Sequence, residues 1–219
     1  MIILAIDTTT SSSSLAISID GRIIYHDYFA LKHSHSETIL PRIDESLKLL
    51  KINKNELSGI CVSLGPGSFT GCRIGLATAK GICTGLKIPL IAFNSLDILA
   101  SNLYGVNQKI ISVLDARMSE VYMAIYDGFL NIEIEPHCRP YVAITEGLKG
   151  DYVCVGDVHL LPLEDLPADI KIVSCLPHQN LLSASALLSL AMYKERNYTY
   201  DEEYISALEP YYIRNVVNK

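Results

Sequence analysis

Chemistry in this chain gathers at three places. The first runs Ser63-Leu64-Gly65-Pro66-Gly67-Ser68-Phe69-Thr70-Gly71-Cys72-Arg73-Ile74-Gly75. Three glycines and a proline within Gly65–Gly71 exclude a regular element and require a tight turn. The turn follows the apolar, β-branched run Ile60-Cys61-Val62 and opens a segment with helical spacing. A helix starting there presents bare N–H groups, on which Gly67, Ser68, Thr70 and Gly71 can hold an anion. The same glycines equally suit a second backbone that comes unusually close. The string is not a P-loop, because no lysine follows its last glycine. Nor does it follow the first strand, as a dinucleotide fingerprint would.

The second place is Asp7-Thr8-Thr9-Thr10-Ser11-Ser12-Ser13, in a turn after the first strand. Asp7 and Thr8 there can grip a phosphate, or a metal through Asp7; alternatively the hydroxyls satisfy their own backbone. No glycine occurs between Asp7 and Ser13 to let an anion approach, which favours the self-satisfied turn. The third is Asp115-Ala116-Arg117. Two facing aspartates can hold Mg²⁺, but Arg117 more simply neutralises Asp115 or Asp7. No GxSxG nucleophile elbow is present. The tyrosines near the C-terminus stand among few basic residues and suit the covering of apolar surface better than base stacking.

Around these sites lies material for a large core: 219 residues, 49% hydrophobic and 19% charged. The net charge of −6 argues against unaided binding of a polyanion such as tRNA. The six cysteines include no CxxC pair, and the histidines do not pair with them at zinc spacing. Met1–Ile6 reaches Asp7 without the basic flank of a secretory leader, and no long apolar run can span a bilayer. A cytoplasmic protein with reduced thiols, no metal and no membrane contact is expected.

The elements that must position these residues alternate clearly. Residues 2–6, 14–19 and 22–30 read as an antiparallel meander with a turn at Asp20-Gly21. Ser34 and Glu37 form a capping box for a helix carrying Ile39, Leu40, Ile43, Leu47 and Leu50, with Pro41 inside it. A strand over 58–64, a helix over 71–86, a strand at Leu90–Phe93 and a helix capped by Ser95 follow. From Lys109 the order strand, turn, strand, Asp-Gly turn, strand begins again, with later strands at 152–156 and 170–174 and a helix at Leu181–Arg196. Two βββαβα lobes are expected, over 1–104 and 105–219, with the final segment free to pack back on the first.

The helix after the glycine turn has two small-residue stripes: Gly71, Gly75 and Ala79, and Ala77, Gly81 and Gly85. A mid-helix glycine costs about 1 kcal/mol unless close packing offsets it. One stripe suits the lobe's own sheet. The second suits another helix outside it, and a partner surface is preferred.

Ile6-Asp7-Thr8-Thr9, His33-Ser34, Leu40-Pro41, the Gly65–Gly75 string, Asp115-Ala116-Arg117 with Glu120-Val121-Tyr122, and Pro210-Tyr211-Tyr212-Ile213-Arg214 together resemble the bacterial TsaB (YeaZ) family. The resemblance implies an α/β fold of two RNase H-like lobes, mixed sheets flanked by helices, in the actin/hsp70-like (ASKHA) superfamily. It implies a non-catalytic scaffold or activator subunit. Its complex transfers a threonylcarbamoyl group to N6 of adenosine 37 in tRNAs reading ANN codons. The implied partners are the catalytic subunit TsaD and the ATPase TsaE, with a homodimer when alone and tRNA met only through the complex. ATP, ADP and metal belong to the partner subunits. TsaD-like proteins carry Asn-His-x-x-x-His, where this chain reads Asn94-Ser95-Leu96-Asp97-Ile98-Leu99, so both imidazoles are missing. Asp7, Thr8, Asp115 and Arg117 then mark a vestigial nucleotide site. The family pairs through its first two helices, which places Ile39, Ile43, Leu47, Cys72, Gly75, Leu76, Ala79 and Cys83 at the contact. Gly75→Leu is then expected to leave the lobe folded and to abolish pairing. The alternative, suggested by the family's older glycoprotease label, is an ATP-dependent transferase or a peptidase active on its own.

Overall fold

The computed structural model describes residues 1–29, 35–161, 166, 168–194 and 198–213, with the side chain of residue 35 outside that set. The chain divides into two units. The first comprises Met1–Ser95 and Ser183–Tyr211, and the second centres on Leu96–Leu182. The boundary lies at Ser95/Leu96 rather than at 104/105, and the chain from Ser183 returns to the first unit.

The first unit is built on a five-stranded sheet. Strands β1 (Ile2–Asp7), β2 (Ser13–Ile19), β3 (Arg22–Phe29), β4 (Leu57–Ser63) and β5 (Leu90–Phe93) lie in the order β3-β2-β1-β4-β5. The meander β1-β2-β3 is antiparallel, whereas β4 and β5 run parallel to β1. Asp20 and Gly21 both have positive φ, 48° and 78°, the conformation a two-residue hairpin turn needs. Central β1 is buried on both faces, which is why it reads as a continuous apolar run.

Helices α1 (His35–Leu49) and α2 (Phe69–Leu86) pack on one face of this sheet. Leu4, Ile6, Leu15, Ile17, Ile60 and Val62 meet Ile39, Ile43, Leu47, Leu76 and Ala79 there. α1 continues through Pro41. Ser34, its expected cap, lies outside the described residues. On the other face lies α4 (Ala184–Tyr193), whose start is satisfied by Ser14 Oγ, 2.8 Å from the Ala184 N–H, and by the Ser183 cap. A short helix, α5 (Glu202–Ala207), was not expected from the sequence. It buries Ile205 in the same core as α2, and Lys80 Nζ donates to Ser206 O at 2.9 Å.

The second unit carries β6 (Lys109–Arg117), β7 (Glu120–Tyr126), β8 (Ile132–Pro140), β9 (Gly150–Gly156) and β10 (Ile170–Ser174) in the order β10-β9-β6-β7-β8. Directions match the first sheet: antiparallel from β6 through β8, parallel for β9 and β10. The duplicated strand order is the RNase H-like arrangement expected for both lobes. The crossovers differ from expectation. Single 3₁₀ turns, Tyr141–Ala143 and Val158–Leu160, stand where helices were anticipated among the described residues. Gly147 and Gly150, at φ 79° and 101°, interrupt the first of these crossovers. Ile144, Leu148 and Leu161 cover the sheet instead. Its other face meets α3 (Ser95–Ser101), through Ser112 Oγ donating to Leu96 O and Tyr126 O–H donating to Asp97.

Glycines of α2 separate by face. A Cβ on Gly71 would overlap the Thr8 carbonyl oxygen, whereas one on Gly81 or Gly85 would meet nothing within 4 Å. Gly81→Ala is therefore expected to stabilise the chain by about 1 kcal/mol, and Gly71→Ala to destabilise it by roughly 3 kcal/mol. Denaturant unfolding of the two variants checks the opposite signs.

Candidate functional site

The glycine-rich turn and the Asp7 turn form one structure. β1 and β4 are parallel neighbours, so their C-terminal ends, Asp7 and Ser63, emerge side by side. β5 adds the chain leading to Ser95. The Thr8–Thr9 backbone lies directly on the start of α2. Ser68 N–H donates to Thr9 O at 2.6 Å, and Thr8 Oγ1 donates to Gly71 O at 2.6 Å. A Cβ at Gly67 would overlap the Thr9 carbonyl, and one at Gly75 would lie 2.5 Å from Thr8 Oγ1. Ser68 caps the helix by accepting from Gly71 N–H at 3.2 Å. These contacts favour close backbone approach over an anion cradle at Gly67, Ser68, Thr70 and Gly71. Ser68 N–H and Gly71 N–H are already engaged, and the room that Gly67 and Gly71 leave is filled by the Thr8–Thr9 backbone.

Behind this seat sits a buried polar cluster. Asp7, Thr9, Ser63 and Ser95 are each at most 1% exposed, so no bulk water reaches them. Thr9 Oγ1 donates to Asp7 Oδ1 at 2.7 Å, and Thr9 N–H reaches the same oxygen at 3.3 Å. The nearby Ser63 hydroxyl favours the charged form of Asp7. Ser95 Oγ lies 2.9 Å from Ser63 Oγ and donates to Thr9 Oγ1 at 3.3 Å. Burial pushes Asp7 up from the ordinary 3.8 to about 6, against the opposing hydrogen bonds. Cys72, under the turn, is pushed up to about 12 by burial and by the Asp7 charge. It is a packed thiol rather than an activated nucleophile.

The contact positions expected on α1 and α2 require correction. Ile39, Ile43, Leu47, Cys72, Leu76, Ala79 and Cys83 are all at most 7% exposed, and Gly75 is buried against Thr8. They form the lobe's own core, because the apolar stripe of a surface helix faces its sheet. Gly75→Leu would consequently disrupt the lobe rather than spare it. The residues α2 presents outward are Arg73, Ala77, Gly81, Thr84 and Gly85. At its start, the Arg73 guanidinium lies 3.6 Å from the ring centroid of exposed Phe69. On α1 the exposed residues include Leu40, Pro41, Asp44, Glu45 and Lys48.

Asp115 belongs to the second unit, where it pairs with Arg117 at 3.1 Å. It also accepts from Arg117 N–H at 2.8 Å and Tyr141 O–H at 3.2 Å. Arg117, Met118 and Ser119 all have positive φ and turn β6 into β7.

Comparison with known proteins decides the family. A protein of Escherichia coli K12 called tRNA threonylcarbamoyladenosine biosynthesis protein TsaB is 33% identical over 165 residues, 71% of each chain. This chain belongs to the TsaB family. The Bacillus subtilis protein of the same name is 36% identical over 126 residues, covering 58% of this chain and 55% of that one. A crystal structure from Pseudomonas aeruginosa, described as an uncharacterized protein with similarity to peptidase YEAZ, superposes with a TM-score of 0.79. It is 26% identical, with 97% of this chain and 99% of that one covered. Residues 30–136 also match the sequence model of a family described as TsaD, tRNA N6-adenosine threonylcarbamoyltransferase.

Within this TsaB-family fold, Ser63 and Ser95 are site residues that sequence reasoning missed. Each is a small hydroxyl residue beyond an apolar strand, and their meeting follows only from the strand order.

The raised Asp7 value makes a pH prediction. A shift from 3.8 to about 6 favours the neutral acid by about 3 kcal/mol. That stability is fully present below the unfolded value and is lost as pH rises through the folded one. Asp7→Asn keeps an acceptor for Thr9 and carries no charge. Unfolding across pH is expected to show the variant gaining about 2.5 kcal/mol on the parent between pH 4 and pH 8. A constant difference would remove the assignment.

Proposed function

We propose that this chain acts in tRNA threonylcarbamoyladenosine biosynthesis as the non-catalytic scaffold that docks TsaD. The observation that carries the reading is the division of α2 into two faces. Gly71 and Gly75 are occupied by the Thr8–Thr9 turn, whereas Gly81 and Gly85 open onto space. Glycines that cost about 1 kcal/mol each in a helix, and beside which a Cβ would meet none of the described residues, suit the close approach of a second helix. The names of the E. coli and B. subtilis relatives supply the pathway. The match of residues 30–136 to the TsaD family supports a partner of similar fold.

The docking surface in this reading is the outward stripe Arg73, Ala77, Gly81, Thr84 and Gly85, with Leu40 on α1 beside the buried positions first expected. A homodimer in isolation uses the same surface. TsaE joins the pair, and tRNA is met through the assembly, consistent with a net charge of −6. ATP, ADP and metal are assigned to the partners. The groups that would grip a phosphate here serve Thr8, Thr9 and Ser68, and Asp7 is engaged by neighbouring hydroxyls. In this reading the chain works in the cytoplasm, with the pathway for which its relatives are named.

Gly81→Arg tests the surface, since open space at Gly81 lets the side chain point outward without disturbing the core. The variant is expected to unfold like the parent while losing TsaD capture by about a hundredfold or more and failing to support tRNA modification. Parental capture by a folded variant would place the contact elsewhere.

A further inference from the structure

Asp115-Ala116-Arg117 plays no part in the docking surface on α2, yet the second unit braces it closely. Asp115 Oδ1 accepts from Arg117 N–H at 2.8 Å and from Tyr141 O–H at 3.2 Å, while Oδ2 meets the Arg117 guanidinium at 3.1 Å. Asp115 N–H donates to Asp157 Oδ2 at 2.8 Å. A register shift between Asp115 and Arg117 marks a bulge in the ladder. These contacts fix the base of a two-residue turn, Met118-Ser119, between β6 and β7.

The turn is strained. Arg117, Met118 and Ser119 have φ of 65°, 55° and 62°, in the left-handed region that residues with a Cβ seldom enter. The turn between β2 and β3 meets the same demand with a glycine, in Asp20-Gly21. Strain of this kind persists where surrounding contacts enforce it, and it gathers where side chains are put to use. Here the side chains face outward. Met118 is 88% exposed and the Arg117 side chain 86%. Val142 is 83% exposed, so Met118 and Val142 are the two most exposed large apolar residues among those described. Both belong to one end of the sheet: Glu120 pairs with Pro140, and Tyr141 N–H donates to Ser119 O at 3.1 Å. Apolar groups left this open add nothing to the core of their own chain.

We propose that this tip is a second docking point, a knob whose Met118 and Val142 enter an apolar pocket of a partner protein while Arg117 meets a carboxylate at the pocket's rim. A methionine side chain is flexible and polarizable, and fills such a pocket without demanding one shape. Asp115 engages the guanidinium through Nη1, and the remaining N–H donors of this planar group match a carboxylate. Asp115 acts as a positioning residue, holding Arg117 and the turn from below. Two apolar side chains cover far less than the roughly 1,000 Å² that a stable interface needs. The knob therefore anchors a partner that is also held elsewhere, and the inference rests on the reading that this chain works in an assembly with TsaD and TsaE.

Variants of the full chain test the knob by their affinity for purified TsaD, alone and with TsaE added. Met118→Asn combined with Ser119→Gly relaxes the turn and removes the thioether. It is expected to raise the folded-to-unfolded ratio in denaturant about fivefold and yet to weaken assembly about tenfold or more. Val142→Ser leaves the turn untouched and is expected to weaken assembly while unfolding like the parent. Arg117→Glu is expected to weaken it further than Arg117→Gln, because a second carboxylate then faces the rim. Parental affinity in the double variant and in Val142→Ser would overturn the knob and leave the docking surface on α2 standing. A parent chain that binds neither protein would overturn both readings. A double variant less stable than the parent would remove the strain on which the assignment rests. Binding of the parent to vesicles of anionic phospholipid, lost in the double variant, would give the knob to a membrane surface and overturn the partner protein.

Discussion

Two carbonyl oxygens, those of Thr8 and Thr9, set the arrangement of the first unit. They project from the turn after β1 into space that side chains at Gly67 and Gly71 would occupy. α2 can therefore lie against the end of the sheet only where these positions lack a Cβ. The Ser68 N–H to Thr9 O bond then fixes its first turn. Once α2 is held this way, Cys72, Leu76, Ala79 and Cys83 enter the core and α1 packs alongside. The opposite face, with Ala77, Gly81 and Gly85, turns outward. The proposed docking surface is thus a consequence of an internal packing requirement.

Much of this was legible in the sequence. The meanders appear as period-two runs joined by Asp-Gly turns, and the second round of that order at Lys109 marks the duplicated sheet. The two α2 stripes were visible as spacing. Which stripe faced inward was not, because glycine and alanine carry no hydrophobic signal of direction. Cys72, Leu76 and Cys83 supply that signal, since they share a face with Gly75 and Ala79 and are apolar enough to seek the sheet. In the second unit, the crossovers after β8 and β9 lack helices among the described residues. Positive-φ glycines at 147 and 150 could have warned of the first.

The buried hydroxyl cluster behind the glycine seat was the least legible feature. Ser63 and Ser95 stand 32 positions apart, and nothing local distinguishes them from strand-end or helix-cap serines. They meet because β4 and β5 are parallel neighbours. The Asp7 turn was rightly read as lacking glycine, and the reason is now physical: its hydroxyls and carbonyls face its own chain. A fold whose relatives include enzymes can retain an aspartate at this strand end while using it as an internal tie.

The central claim is that α2 is seated by one face and docks by the other. Alkylation of Gly81→Cys, measured with and without saturating TsaD, tests it most directly. Gly81 opens onto space in the chain alone, and the native Cys72 and Cys83 are buried. Their thiols are both pushed up to about 12 and give little background, and peptide mass mapping separates label at position 81 from label at the half-buried Cys138 and Cys175. The account predicts rapid labelling of the new thiol in the dilute chain and strong protection when TsaD is added. Equal labelling rates in the presence of a demonstrably bound TsaD would contradict it.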